Sequence, residues 1–193
     1  MKEVVTEILL EREAIARRVR EMGEEISRDF QDGGPVLMIG LLKGSLLFVA
    51  DLIRAISIDV EVDFISISSY RGRSTSSGSV RLLRDLDRDV YDRHIIIAED
   101  IIDSGLSLAY IRGALLARNP RSISIAALLD KRDRRMMEVP VKYVGFEIPD
   151  RFVVGYGLDY LQRYRGLPDI SILDSPEIEE TDNDPARPRE AGP

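Results

Sequence analysis

Residues 95–107 read IIIAEDIIDSGLS, and the opening four of them constrain the fold more than any other stretch. The run 95–98 is short, rich in β-branched side chains and without polar alternation. A strand covered by helices on both faces reads that way, whereas a sheet with one wet face alternates. The run therefore predicts an interior strand of a mostly parallel sheet. Glu99 and Asp100 follow at the C-terminal edge of that strand, the rim where open α/β sheets hold ligands. Asp103, Ser104, Gly105, Leu106 and Ser107 then lead into a helix with apolar positions at Leu106, Leu108, Ile111, Leu115 and Leu116.

The acids and the small, hydroxylated residues belong to one kind of chemistry. Free N–H groups in the first turn of a helix point outward to an anion, and glycine at 105 lets the backbone come close to it. The hydroxyls of Ser104 and Ser107 can donate to further anion oxygens. Adjacent carboxylates beside such a cradle suit a ligand carrying both a sugar diol and a phosphate. Taken singly, each residue also fits a capped helix, with Asp103 or Ser104 as N-cap and Glu99 and Asp100 as solvated acids. The whole string at fixed spacing favours the ligand site.

Strands and helices alternate along the rest of the chain. Residues 11–30 are charged, with Ile15, Val19, Met22 and Ile26 at helical spacing, and Asp32-Gly33-Gly34-Pro35 ends that helix. An apolar strand at 36–42 precedes an amphipathic helix near 45–55, and 59–68 alternates as a strand through Val60, Val62 and Phe64. Residues 69–79, which contain YRGRSTSSG, have no core pattern and predict a mobile loop. Strand, helix and strand follow at 95–98, 105–118 and 122–129. Short apolar runs separated by Gly and Pro over 140–173 predict the last strands and a lid. Residues 175–193, acidic and proline-containing, predict a disordered tail. The expected class is α/β, a mostly parallel twisted sheet flanked by helices, in one domain over residues 1–174.

Composition removes several classes. The net charge of −7 leaves no broad basic footprint for nucleic acid. The chain has no cysteine, which excludes disulfides, a thiol nucleophile and a thiolate metal site. There is no basic, apolar leader and no run near the ~18–20 apolar residues of a membrane span, so a cytoplasmic protein without membrane contact is expected. Lysine occurs only at positions 2, 43, 131 and 142, and two of these fall within distinctive segments. His94, the only histidine, is expected at the surface.

The string IIIAEDIIDSG closely resembles the phosphoribosyl pyrophosphate (PRPP) signature of the type I phosphoribosyltransferases. Four further segments are similar to the hypoxanthine-guanine branch of that family: LKGS (42–45), SSY (68–70), LLDKR (128–132) and VGFEIPDRFVVGYGLDY (144–160). Departures are small. Ser104 and Ser107 stand where many members have threonine, Ala98 where valine is frequent and Gly157 where some have alanine.

The resemblance implies a type I phosphoribosyltransferase fold with a small hood that includes 150–173 and a closing loop at about 69–90 headed by Ser69 and Tyr70. It implies Mg²⁺-dependent transfer of 5-phosphoribosyl from PRPP to N9 of hypoxanthine or guanine, giving IMP or GMP and pyrophosphate. Glu99 and Asp100 would hold the ribose hydroxyls and, with Asp159, the metal. Asp103, Ser104, Gly105, Leu106 and Ser107 would cradle the 5′-phosphate, and Asp103 would be the general base at N7. Lys43, Gly44 and Arg165 would bind pyrophosphate, with a cis peptide between Leu42 and Lys43 and with Arg135 as a further candidate. Lys131 would donate to the 6-oxygen of the purine, Phe152 would stack on it, Val153 would read its edge, and Asp159 would lie near it. A homodimer or homotetramer is implied, with no nucleic-acid partner.

Two other readings are open at this stage: a PRPP-binding regulator that has lost catalysis, and a scaffold whose acidic tail contacts a protein. The first needs a basic surface that the chain does not offer. Within the enzyme reading, a preference for xanthine is the alternative.

Overall fold

The structure is a computed structural model that describes residues 4–69 and 80–174. The central sheet has six strands in the order β4-β3-β2-β5-β6-β7. These are β2 (Val36–Leu42), β3 (Val60–Ser69), β4 (Val80–Arg84), β5 (His94–Ile102), β6 (Ser122–Asp130) and β7 (Tyr143–Glu147). All neighbours are parallel except the edge pair β3 and β4. Its helices are α1 (Arg12–Asp29), α2 (Leu46–Ala55) and α3 (Leu106–Leu116).

The 95–98 run lies between β2 and β6, with Ile95 opposite Leu37 on one side and Ile123 on the other. Its side chains divide between two cores. Ile96 and Ala98 join Ile15, Val19, Met22 and Ile26 of α1 and Phe48 and Leu52 of α2. Ile95 and Ile97 join Leu108, Ile111 and Leu115 of α3. A strand apolar at every position is what burial on both faces requires, and each isoleucine so buried contributes roughly 1.5–3 kcal/mol. Leu106 and Leu116, expected among the apolar positions of α3, are instead exposed.

The strand is longer than its apolar run. Pairing with β6 continues through Glu99 opposite Ala127, Ile101 opposite Leu129 and Ile102 opposite Asp130. Both acids therefore sit in the last turns of the pleat rather than in a loop beyond it. That fixes their direction more firmly than a loop could.

A second, antiparallel sheet of three strands, β1-β9-β8, joins β1 (Val4–Leu10) to β9 (Ile170–Asp174) and β8 (Val153–Val154). It brings the two ends of the domain together beside the C-terminal rim of the main sheet. Residues 80–84, within the span expected as closing loop, form the strand β4, and Val90 is fully buried. Tyr70 and the rest of 70–79 lie outside the described residues, as does the expected tail at 175–193. His94 is not at the open surface. Its Nδ1 is 2.6 Å from Ser122 Oγ, and its ring meets Phe30 edge-on at 5.3 Å between centroids.

Candidate active site

At the rim, β5 turns into α3 through Asp103, Ser104 and Gly105. Gly105 has φ +78°, the left-handed region that suits glycine, and a Cβ there would stand 2.8 Å from the Met137 carbonyl oxygen. The turn is fastened from outside, since the Ser104 carbonyl accepts from the backbone N–H groups of Met136 (3.0 Å) and Met137 (3.2 Å). A cavity of about 100 Å³ opens here, and Glu99, Asp103, Ser104, Gly105 and Ser107 all line it. The acids and the helix start thus share one cleft.

The two rim acids are held in an unusual state. Burial pushes the Glu99 carboxyl well above the usual carboxylate range, and neighbouring Asp100 adds to the push. Its Oε2 is buried with no hydrogen-bond partner. Burial also raises Asp100, to about 6, partly opposed by backbone N–H donors and the positive charge of Arg165, and reinforced by Asp159. Asp100 packs against the LKGS turn so closely that a Cβ on Gly44 would overlap its carboxylate. The Leu42–Lys43 peptide is cis, as the resemblance implies.

That turn meets the hood. Gly157, at φ +99°, lies with its Cα against the Gly44 carbonyl, leaving no room for a side chain. Arg165 is anchored nearby: Nη1 donates to the Gly157 carbonyl at 2.7 Å and Nη2 lies 2.7 Å from Asp159 Oδ1. Lys43 Nζ donates to Gln162 Oε1 at 3.1 Å, bringing both cations to one place.

Lys131 extends from the end of β6, its backbone N–H bonded to the Ile102 carbonyl at 3.0 Å. Its side chain is 11% exposed and its Nζ is 3.5 Å from Asp150 Oδ1. Arg134 reaches Asp103 Oδ1 at 3.0 Å and Asp150 Oδ2 at 3.4 Å, so a chain of charges joins Asp103 to Lys131. Phe152 is 40% exposed and forms a T-shaped contact with Tyr160 at 5.6 Å between centroids. Val153 is buried in β8 opposite Ile172.

One expectation changes. Arg135 does not point toward the pyrophosphate side. Its Nε and Nη2 hold both oxygens of buried Asp130, at 3.1 and 2.8 Å, and Nη1 donates to the Val139 carbonyl. Among the described residues, no three His, Cys, Asp or Glu side chains converge as a metal cage. Asp159, close enough to raise Asp100, has one oxygen on Arg165 and the other accepting from the Gln162 N–H at 2.8 Å. The donor set still fits Mg²⁺. This ion commonly takes one or two carboxylates and completes its octahedron with water and substrate oxygens, and the unpartnered Glu99 Oε2 is such a donor. Arg134, Asp150 and Gln162 were not singled out from sequence. Nothing in KRDRR or YLQRYR marks which charge or amide will find which partner.

This arrangement, acids and a helix start lining one cleft at the rim of a mostly parallel sheet, defines a class. The chain belongs to the phosphoribosyl transferase domain family, which it matches over residues 5–161. It is 48% identical to the hypoxanthine-guanine phosphoribosyltransferase of Bacillus subtilis over 173 residues, covering 90% of this chain and 96% of that protein. It is 46% identical to the hypoxanthine phosphoribosyltransferase of Escherichia coli, covering 88% of this chain and 96% of that one. A crystal structure of a hypoxanthine phosphoribosyltransferase from Staphylococcus aureus superposes with a TM-score of 0.84 at 42% identity, covering 90% of this chain and 94% of the other.

Proposed function

We propose that this protein serves purine salvage, transferring the 5-phosphoribosyl group of PRPP to N9 of hypoxanthine or guanine and releasing pyrophosphate. The observation that carries this reading is the shared cleft: Glu99, Asp103 and the Ser104–Ser107 turn line one cavity. Lys131 stands on the adjoining wall, linked to Asp103 through Asp150 and Arg134.

In this reading the 5′-phosphate sits on the N–H groups and hydroxyls of 103–107, where the start of α3 favours an anion. Glu99 and Asp100 accept from the 2′- and 3′-hydroxyls. Lys43 and Arg165 bind the diphosphate with Gly44. As the bond from C1 to the diphosphate oxygen breaks and the bond to N9 forms, positive charge grows on the sugar. Buried carboxylates below the ring stabilise that charge. Asp103 accepts the proton that leaves N7. Glu99 and Asp100, with Asp159 close by, would hold Mg²⁺ through hard oxygens, and the ion would supply charge neutralisation to the diphosphate.

Lys131 presents an ammonium, which has donors only, to the purine 6-position. A 6-oxo group satisfies it and an amino group does not, so hypoxanthine and guanine are taken over adenine. Phe152 stacks on the purine face, Val153 meets its edge through the backbone and Asp159 lies beside it. A homodimer or homotetramer and a cytoplasmic location belong to the same reading. No helix among the described residues is long and apolar enough to cross a membrane.

The test is a base panel. With PRPP and Mg²⁺, hypoxanthine and guanine should give IMP and GMP with equal amounts of pyrophosphate, while adenine gives none. Silence with hypoxanthine, guanine and xanthine alike would remove the reading, and turnover of xanthine alone would reassign its substrate.

A further inference from the structure

Gln162 occupies a position that the proposed reaction does not by itself explain. It lies in a tight turn whose backbone enters the left-handed region at Leu161, Gln162 and Tyr164, with φ of 50°, 64° and 72°. Side chains disfavour that region, and such conformations gather where a site needs them. The turn is held by Gln162 N–H on Asp159 Oδ2 at 2.8 Å and by the paired backbone of Tyr160 and Arg163. Its outcome is one carboxamide oxygen placed between two cations. Gln162 Oε1 accepts from Lys43 Nζ at 3.1 Å and from Arg165 Nη2 at 3.2 Å.

Resting on the proposed reaction, in which those two cations bind the diphosphate, we infer that the Gln162 carboxamide oxygen is an internal stand-in for a diphosphate oxygen. It holds Lys43 and Arg165 in register between turnovers and is displaced when the diphosphate of PRPP arrives. An amide oxygen has two lone pairs and can accept both donors at once. It carries no full charge, so a phosphate oxygen, whose bonds to the same cations are charge-assisted, displaces it. The side chain is exposed and its displacement disturbs no core contact. Arg165 keeps its own anchors on Gly157 and Asp159 when the amide leaves. When pyrophosphate departs, the returning amide again accepts from both Lys43 and Arg165. Gln162 is a positioning residue in this scheme, acting through the cations and not on the reacting atoms.

The experiment measures binding of inorganic pyrophosphate with Mg²⁺ by calorimetry, alongside KM for PRPP and for hypoxanthine, in the parent, Gln162→Glu and Gln162→Met. A carboxylate in place of the amide is an anion that does not yield. Gln162→Glu should weaken pyrophosphate binding and raise KM for PRPP by about tenfold or more. The hypoxanthine KM and the melting temperature should hold. Gln162→Met, similar in length and with no comparable acceptor, should bind pyrophosphate within about threefold of the parent, because the diphosphate no longer has an amide to displace and only the alignment of the two cations is lost. Gln162→Glu equal to the parent overturns the assignment. So does a loss in Gln162→Met as large as that in Gln162→Glu, which would make the amide a direct ligand contact. Both outcomes leave the proposed reaction standing. A parent protein that takes up no pyrophosphate overturns the reaction and this assignment together.

Discussion

Arg134, on the connection between β6 and β7, extends to Asp103 on the turn between β5 and α3, its Nε 3.0 Å from Oδ1. Asp103 supplies the proton acceptor in the proposed reaction, so this pair decides where the acceptor points before substrate arrives. The two side chains are about half exposed, and an exposed ion pair contributes roughly 0–1 kcal/mol to stability. Arg134→Ala should therefore leave the melting temperature nearly unchanged. Turnover should fall by about tenfold as the carboxylate loses its orientation, since small misplacements are costly in rate. Steady-state kinetics with hypoxanthine beside a thermal melt separate the two effects.

The neighbouring arginine should behave in the opposite way. Arg135 grips Asp130, whose side chain is 1% exposed, through two hydrogen bonds. Removing the close partner of a buried charge costs about 3–5 kcal/mol, because the charge that remains is not hydrated and keeps only Arg132, at 3.9 Å. Arg135→Ala should lower stability by that order in denaturant titration. A change below about 1 kcal/mol would mean that water enters to solvate Asp130.

The rim acids set a pH dependence of unusual sign. In the protein without metal or ligand, Asp100 is raised to about 6 and Glu99 is raised well above its ordinary range, both chiefly by burial. The folded state then holds protons that the unfolded chain, titrating near 4, has already released. Their contribution to stability is complete below about pH 4, and it is lost as pH rises through about 6 for Asp100 and through the raised range of Glu99. Thermal melts of Glu99→Gln against the parent should show the variant gaining as pH rises from about 5 to about 8. Added Mg²⁺ should stabilise the parent more at the upper end of that range. A gap between variant and parent that does not change with pH would show that burial does not govern Glu99.

How much of this was legible in the chain follows from what each part depends on. The 95–98 run and the helical spacing of Ile15, Val19, Met22 and Ile26 report burial directly, and the structure buries every one of them. β1 left no such mark. Val5 and Ile8 are exposed, and the strand exists because residues 170–174, at the far end of the domain, pair with it. The acids and small residues of 99–107 could be read because their spacing is local to one turn. Arg134 and Gln162 could not, since each acquires its role from a partner 31 and 119 residues away, Asp103 and Lys43. In a segment such as KRDRR, only the fold decides that one arginine serves a buried acid and the next a cleft.

Lys131 offers a test of base selection. A charged donor to a neutral acceptor is worth about 1.5–3 kcal/mol, so Lys131→Ala should raise KM for hypoxanthine by roughly ten- to a hundredfold. PRPP affinity should stay close to the parent's. A loss confined to PRPP would place Lys131 on the sugar side of the cleft.

The central claim is that one cleft holds the activated sugar and the group that takes the proton from the base. Asp103→Asn examines it most directly, through single-turnover formation of IMP from PRPP and hypoxanthine, with PRPP affinity measured on the same preparation. The account predicts a rate lower by about 10²–10⁴-fold with PRPP affinity within a few-fold of the parent. A variant that turns over at the parent's rate would contradict it.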